Sequence, residues 1–308
     1  MKPLLHAIEL GATMYIPATH EQLWEVTQGI KFPQIKSIAV CLEDAVLESD
    51  VQTAMVNLKL LLQRRLDEPS LKAPAIFIRP RNMEMAKHIV DWDLNQTFNG
   101  MILPKFNVFN LKNWMNVLPA NLQYMPTLET KEIFDVAHNI ELYQALKYDF
   151  HKTLCLRIGG NDLLSCLNLR RPKNTTIYQT PVGILISQLA GLFIPNGFQL
   201  SSPVCEHFEN TQLLMQELEQ DMNNGIYTKT AIHPAQIGHI HHALQVQPED
   251  FHEAQLILAH DAKSVFKSHG SMIEPATHKN WAEMILLRYK TFGLVKSSCS
   301  THDKILVV

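Results

Sequence analysis

Short runs of aliphatic and β-branched residues alternate along the chain with stretches whose apolar residues recur three or four positions apart. The runs predict strands over Ala12–Pro17, Ser37–Leu42, Ala75–Arg79, Gly100–Pro104, Gln123–Leu128, Thr153–Ile158, Phe198–Ser202 and Tyr227–Ile232. Several are apolar throughout rather than alternating, the pattern of parallel strands covered on both faces. Between them, Val51, Met55, Leu58 and Leu62 form one helical stripe. Ile133, Ala137 and Ile140 predict another, and Asn210 stands where it can cap a helix carrying Leu213, Leu214 and Leu218. Strand then helix, eight times over, predicts an α/β fold: a (β/α)8 barrel of the TIM type with additional C-terminal helices. An open doubly wound sheet is the runner-up, but it usually carries a glycine-rich first turn, and here that turn reads Pro17-Ala18-Thr19-His20. The barrel domain is expected over residues 1–244. Residues 245–308 are expected to form a helical extension on the barrel or on a neighbouring subunit, with helices over Pro248–Ser268 and Thr277–Thr291 before a polar tail.

Composition narrows the class. With 46% hydrophobic and 19% charged residues over 308 positions, the chain can bury a large core. A net charge of -3, and basic clusters no longer than Arg64-Arg65 and Arg170-Arg171, provide no field for nucleic acid. The five cysteines, Cys41, Cys155, Cys166, Cys205 and Cys299, contain no Cys-x-x-Cys pair, which argues against a disulfide framework and against structural zinc. No apolar stretch is long enough to span a membrane, and Met1–Glu9 is too short and too quickly interrupted for a secretory signal. A cytoplasmic protein with neither nucleic acid nor membrane as partner is expected.

In such a barrel the chemistry comes from the C-terminal strand ends. There the sequence places Glu43-Asp44, Arg79, Lys105, Glu129, Gly159-Gly160-Asn161-Asp162, Cys205-Glu206 and His233-Pro234. Glu129 and Asp162, at neighbouring strand ends, would repel unless they share a proton or a cation. A hard divalent ion suits oxygen ligands, and magnesium commonly takes one or two carboxylates with water and substrate oxygens. The plainer alternative makes Asp162 a cap of a helix over Leu163–Leu169 and Glu129 a solvated turn residue; the metal site is the preferred of the two. Arg79 can hold a carboxylate or polarise a carbonyl, or it can be a buried ion-pair partner of Glu43 or Asp44. Lys105 is a candidate imine-forming lysine, but a charge partner of the rim acids is the simpler role. His239, His241 and His242 are expected on the surface, His233 in a structural strand end, and Cys205 in the core. The chain has no P-loop, His-Glu-x-x-His or Gly-x-Ser-x-Gly.

These segments together resemble the HpcH/HpaI aldolase and citrate lyase beta-subunit family. Met14-Tyr15-Ile16-Pro17 resembles its opening strand. Cys41-Leu42-Glu43-Asp44-Ala45-Val46 is similar to its Asp-Leu-Glu-Asp-Ala-Val box, and Ile78-Arg79-Pro80-Arg81-Asn82 to its Val-Arg-x-Asn strand. Gly100-Met101-Ile102-Leu103-Pro104-Lys105, Leu128-Glu129-Thr130, Gly160-Asn161-Asp162-Leu163 and Ala231-Ile232-His233-Pro234-Ala235-Gln236-Ile237 resemble its later boxes, in family order. Cys41 stands where the family has Asp, and Pro80 where a branched residue is usual. The segment Arg170–Thr180 is similar to a bacterial subgroup of carbon–carbon lyases associated with tellurium-resistance gene clusters. No stretch specifies a coenzyme A site.

The resemblance implies a lyase that cleaves or forms carbon–carbon bonds with Mg²⁺, in a homo-oligomer. It makes Glu129 and Asp162 the metal ligands and Arg79 the residue that binds the substrate's carboxylate or carbonyl. Glu43 and Asp44 then support metal-bound water and Arg79, and Lys105, Gly160 and Asn161 join Arg79 in contacting the substrate. The expected substrate is a carboxylate-bearing hydroxy or oxo acid or its acyl thioester. Two alternatives stand beside this: an acyl-thioester hydrolase or condensing enzyme of a biosynthetic pathway, and a non-catalytic barrel that binds a metabolite.

Overall fold

A computed structural model describes residues 4–70, 72–149 and 152–296. Cys299 and most of the polar tail lie outside the described residues. By internal contacts the chain divides into two compact units, Met1–Ala243 and Leu244–Val308.

The first unit holds eight parallel strands: β1 Ala12–Pro17, β2 Ser37–Cys41, β3 Ala75–Arg79, β4 Gly100–Leu103, β5 Gln123–Leu128, β6 Leu156–Ile158, β7 Leu200–Ser201 and β8 Lys229–Ala231. They pair in the order β7-β6-β5-β4-β3-β2-β1-β8. The ring closes where Ser202 bridges Lys229, through Ser202 N–H to the Thr228 carbonyl at 2.9 Å. All eight strands lie where the apolar runs predict them, several shorter than the run, as expected of the (β/α)8 barrel. The runs are nearly continuous because both strand faces are covered: β2 and β5 are buried at every position.

An apolar plug fills the lower barrel. Ala39, Phe77, Ile102 and Met125 from β2 to β5 pack together there with Ala7 and Leu10, which belong to the 3-10 turn Ala7–Leu10. That plug leaves polar chemistry only to the opposite, C-terminal end.

The helices agree with the sequence in place more than in phase. Asn210 caps the helix Thr211–Asn223 by accepting from Leu213 N–H, and Leu213, Leu214 and Leu218 are buried. The stripe Ile133, Ala137, Ile140 does not form. Ile133 belongs to a separate 3-10 turn, Lys131–Phe134, while Ala137 and Ile140 are exposed. Asp135 breaks the chain between the two and accepts from Ala137 N–H at 2.9 Å. The following helix, Val136–Asp149, therefore restarts its phase and buries His138, Leu142 and Leu146.

The second unit carries helices Pro248–Leu258 and Pro275–Phe292 with a hairpin between them, β9 Phe266–Ser268 and β10 Ser271–Ile273. The helix expected to reach Ser268 thus stops ten residues sooner, at Leu258. His269 and Gly270, at φ +44° and +87°, form the two-residue turn of that hairpin. Ala254, Ile257, Ile273, Ala282 and Ile285 form this unit's own small core. No helix among the described residues is long and apolar enough to cross a membrane. Cys41, Cys155, Cys166 and Cys205 are free thiols.

Candidate active site

The strand ends converge because each apolar run stops at the same end of the barrel. Arg79 closes β3, and Glu129 follows β5 directly; they are 8% and 3% exposed. Arg79 Nη2 is the hub. It pairs with Glu43 Oε2 and lies 3.2 Å from Asp44 Oδ2 and 3.4 Å from Glu129 Oε1. The two readings of Arg79 left open by its position are thus compatible: it is held by ion pairs and it also lines a cavity.

Lys105 reaches the cluster twice. Its Nζ lies 3.3 Å from Glu43 Oε1, and its backbone N–H donates to Glu129 Oε1 at 2.8 Å. The second contact holds Lys105 at φ +50°, in the left-handed region. That conformation costs a residue with a Cβ on the order of 1 kcal/mol. The amine itself is largely solvent-exposed, which fits a charge partner of the rim acids.

Two glycines bring the sixth strand's turn against Glu129. A Cβ at Gly159 would stand 2.4 Å from Glu129 Cβ and 2.5 Å from its Oε2. A Cβ at Gly160 would meet Ile177 Cδ1 and Pro203 Cβ, both at 2.7 Å. Only glycine lets this turn pass so close. The helix Gly160–Cys166 begins there with Gly159 as its N-cap and no side chain capping it. Asp162 is therefore not the cap. It lies in the first turn, where the helix dipole favours a negative charge, and it lines the cavity.

That cavity has a volume of about 310 Å³ and is walled by Tyr15, Asp44, Arg79, Thr127, Glu129, Arg157, Gly160, Asn161, Asp162 and Thr230, among others. Glu43 and Lys105 are not on its wall; they act on it through Arg79 and Glu129. Asn161 donates from Nδ2 to Glu206 Oε2 at 2.9 Å.

The electrostatics are dominated by excess acid. Four carboxylates at the rim (Glu43, Asp44, Glu129, Asp162) face two cations, Arg79 and Lys105. Burial pushes the Glu129 carboxyl up to about 7; Asp162 adds to the rise and Arg79 opposes it. Burial raises Asp162 as well, helped by Asp44, and burial raises Glu43. Burial works against the charge on Arg79, but the acids around it, Glu129 and Glu43, oppose that and favour the cation. Burial also lifts the Tyr15 phenol, which stays neutral. A hard cation between Glu129 and Asp162 would relieve this acid excess, so the donor set fits Mg²⁺. Among the described residues no group of three or more His, Cys, Asp or Glu could hold an ion. A cation here would complete its shell with water or substrate oxygens, as magnesium commonly does.

Tyr15, Thr127, Arg157 and Thr230 were not among the expected site residues. For Arg157 a signal existed: it is a lone charge in the otherwise apolar run Leu154-Cys155-Leu156-Arg157-Ile158. Such a residue in a doubly covered strand has to face either a partner or a cavity. The histidines outside the site largely follow expectation. His239 and His242 are exposed, and His233 is exposed and stacks on Phe208 with ring centres 4.5 Å apart. His241 departs from it: it is half-buried, and its Nε2 accepts from Ala12 N–H at 3.3 Å.

A family described as C-C bond lyase of the TIM-barrel fold matches residues 4–294. No curated protein matches the chain in sequence. Among solved structures, CitE from Mycobacterium tuberculosis in complex with magnesium, acetoacetate and coenzyme A aligns at a TM-score of 0.68 and 18% identity, over 92% of this chain and 99% of that one. The citrate lyase beta subunit of M. tuberculosis with oxaloacetate and magnesium aligns at 0.57 and 18% identity, over 78% and 99%. A malate synthase from Haloferax volcanii, as a lead(II) complex, aligns at 0.61 and 12% identity, over 76% and 72%. At these identities the solved structures establish the fold.

Proposed function

The chain belongs to the family of carbon–carbon bond lyases with the TIM-barrel fold, and from that premise we propose that it cleaves or forms the bond beside the oxygenated carbon of a hydroxy or oxo acid, or of its acyl thioester, with Mg²⁺ at Glu129 and Asp162. One observation carries the proposal: Glu129, Asp162 and Arg79 meet at a single cavity at the C-terminal strand ends, where acid exceeds base. The oxo acids named beside magnesium for the two M. tuberculosis structures, acetoacetate and oxaloacetate, are a chemically matching class.

When bound, Mg²⁺ supplies a Lewis acid for an oxygen that gains negative charge and a template for a chelating acid. The residues of this chain do the remainder. Arg79, anchored by Glu43 and Asp44, holds a fixed positive charge at the cavity wall, where it can hydrogen-bond a substrate carboxylate or a developing enolate oxygen. Because three carboxylates already orient it, little reorganisation remains when charge builds on the substrate. The Lys105 N–H fixes one oxygen of Glu129 and leaves Oε2 facing the Gly159 turn. Tyr15 and Thr127 give the cavity neutral hydroxyls.

The test is turnover of 2-hydroxy diacids and acyl thioesters with Mg²⁺ by wild type and Asp162→Asn. The variant is expected to lose at least about 10³-fold in kcat, equivalent to about 4 kcal/mol, while keeping its fold by circular dichroism. Unchanged turnover in a folded Asp162→Asn protein overturns the proposal.

A further inference from the structure

Arg157 is 2% exposed, and among the described residues no carboxylate lies within ion-pair distance of it. Its partners are neutral. Nη1 donates to Thr13 Oγ1 at 3.3 Å and lies 3.7 Å from Met125 Sδ; Nη2 donates to Thr230 Oγ1. The guanidinium sits 5.4 Å from the centre of the Tyr15 ring. A buried cation with only neutral partners is costly unless an anion completes it.

Two hydroxyls beside it share that condition. Thr127 on β5 and Ser201 on β7 are the register neighbours of Arg157 on β6. Both oxygens are buried with no hydrogen-bond partner. Thr127 and Arg157 line the cavity. Ser202 bonds Asp221 on the outer helix, so strand alternation turns Ser201 inward. Three adjacent strands therefore place, at one level just above the apolar plug, a guanidinium without an acid partner between two partnerless hydroxyls; of the three residues, Arg157 and Thr127 reach the cavity wall, and Ser201 lies behind it. Arg79, by contrast, is surrounded by three carboxylates.

We infer that Arg157 and Thr127 form a second anion site, and that the substrate is a dicarboxylic acid whose far carboxylate docks there. The near carboxylate and its neighbouring oxygen occupy the Arg79 end, and that half of the inference rests on the function proposed above. Guanidinium with a flanking hydroxyl suits a planar carboxylate, which accepts two N–H bonds in parallel. Arg79 and Arg157 lie 5.8 and 5.4 Å from the same Tyr15 ring, so a small diacid can span from one to the other.

The test compares malate with lactate, which share the 2-hydroxy acid end and differ in the second carboxylate. Calorimetric titrations use the full chain with Mg²⁺, as wild type, Arg157→Gln and Thr127→Val. Wild type is expected to bind malate at least about tenfold more tightly than lactate. Arg157→Gln should erase that preference and leave lactate binding within about twofold. Thr127→Val should narrow it by about threefold; it removes a hydroxyl with no partner in the protein, so it keeps the question answerable if Arg157→Gln does not fold. A preference that survives in both folded variants, or is absent in a wild type that binds both hydroxy acids, overturns the inference. A metal-free arm with succinate separates this inference from the function above. Succinate bound by wild type and lost in Arg157→Gln, with no Mg²⁺-dependent binding of either hydroxy acid, sustains the anion site and sinks the metal-dependent function. No binding of any diacid in either arm overturns the anion site.

Discussion

Two clusters of buried charge occupy opposite faces of the barrel wall, and they are built differently. Outside the wall, Arg171 and Lys229 face Glu217 and Asp221, two cations against two acids. Arg171 Nη2 pairs with Glu217 Oε1, and Lys229 Nζ lies 3.4 Å from Glu217 Oε2 and 2.9 Å from Asp221 Oδ2. Neutral donors add to it: Ile177 N–H at 2.9 Å to Glu217, Ser202 Oγ at 2.8 Å and Tyr178 Oη at 2.6 Å to Asp221. Inside the wall, four rim acids face Arg79 and Lys105 beside an open cavity, and Arg157 lies beneath without an acid partner among the described residues. The outer cluster is balanced in charge, two cations against two acids, although Arg171 Nε and Nη1 and Glu217 Oε2 have no hydrogen-bond partner among the described residues. The inner one is unbalanced in both directions, acid in excess at the rim and, below, a cation whose partners are all neutral. A substrate that brings a chelated cation to one end and an anion to the other corrects both.

The contrast can be broken by removing one acid from each cluster. Glu217→Ala strands the buried Arg171, leaves Lys229 with Asp221 alone, and is expected to cost about 3–5 kcal/mol in denaturant unfolding. Glu129→Gln should change stability by less than about 1 kcal/mol, because burial already weakens its ionisation, yet abolish any Mg²⁺-dependent rise in Tm. Equal stability losses in the two variants would erase the distinction between a structural and a functional cluster.

A pH series sharpens it with a group in neither cluster. Burial depresses His241 to about 4, with Lys36 adding to the effect. Below the ordinary histidine pKa the unfolded chain takes up a proton that the folded one refuses. Stability is thus fully present above about pH 6.5 and is lost as pH falls from there toward 4. His241→Gln should remove about 2 kcal/mol of that acid-dependent loss, a value reduced for the partial exposure of the ring. An unchanged pH profile in the variant would overturn the assignment of this acid sensitivity to His241. The smallest effect is expected at a helix end: Asn210→Ala should cost about 1 kcal/mol in denaturant unfolding, through its cap on the helix that carries Glu217 and Asp221.

Much of this molecule is legible in the order of its residues. Continuous apolar runs such as Ser37–Cys41 become buried parallel strands because each residue's burial depends on its own side chain and on cover from both faces. Polar residues that end those runs land at one rim because all the strands point the same way, which is why the sequence alone places Arg79, Glu129 and Asp162 together there. The sequence was also sufficient for the cap at Asn210, a contact made within four residues. It was insufficient wherever a short break resets phase, as at Asp135, or where two residues at positive φ make a turn, as at His269-Gly270. Charge pairing was beyond it altogether. Lys229 and Arg157 are both lone cations in strand sequence, yet one faces two acids on an outer helix and the other faces none. Whether a buried charge is satisfied depends on residues outside its own strand: Asp221 and Glu217 on the preceding helix for the one, and for the other Thr13 and Thr230, which only closure of the barrel brings within reach.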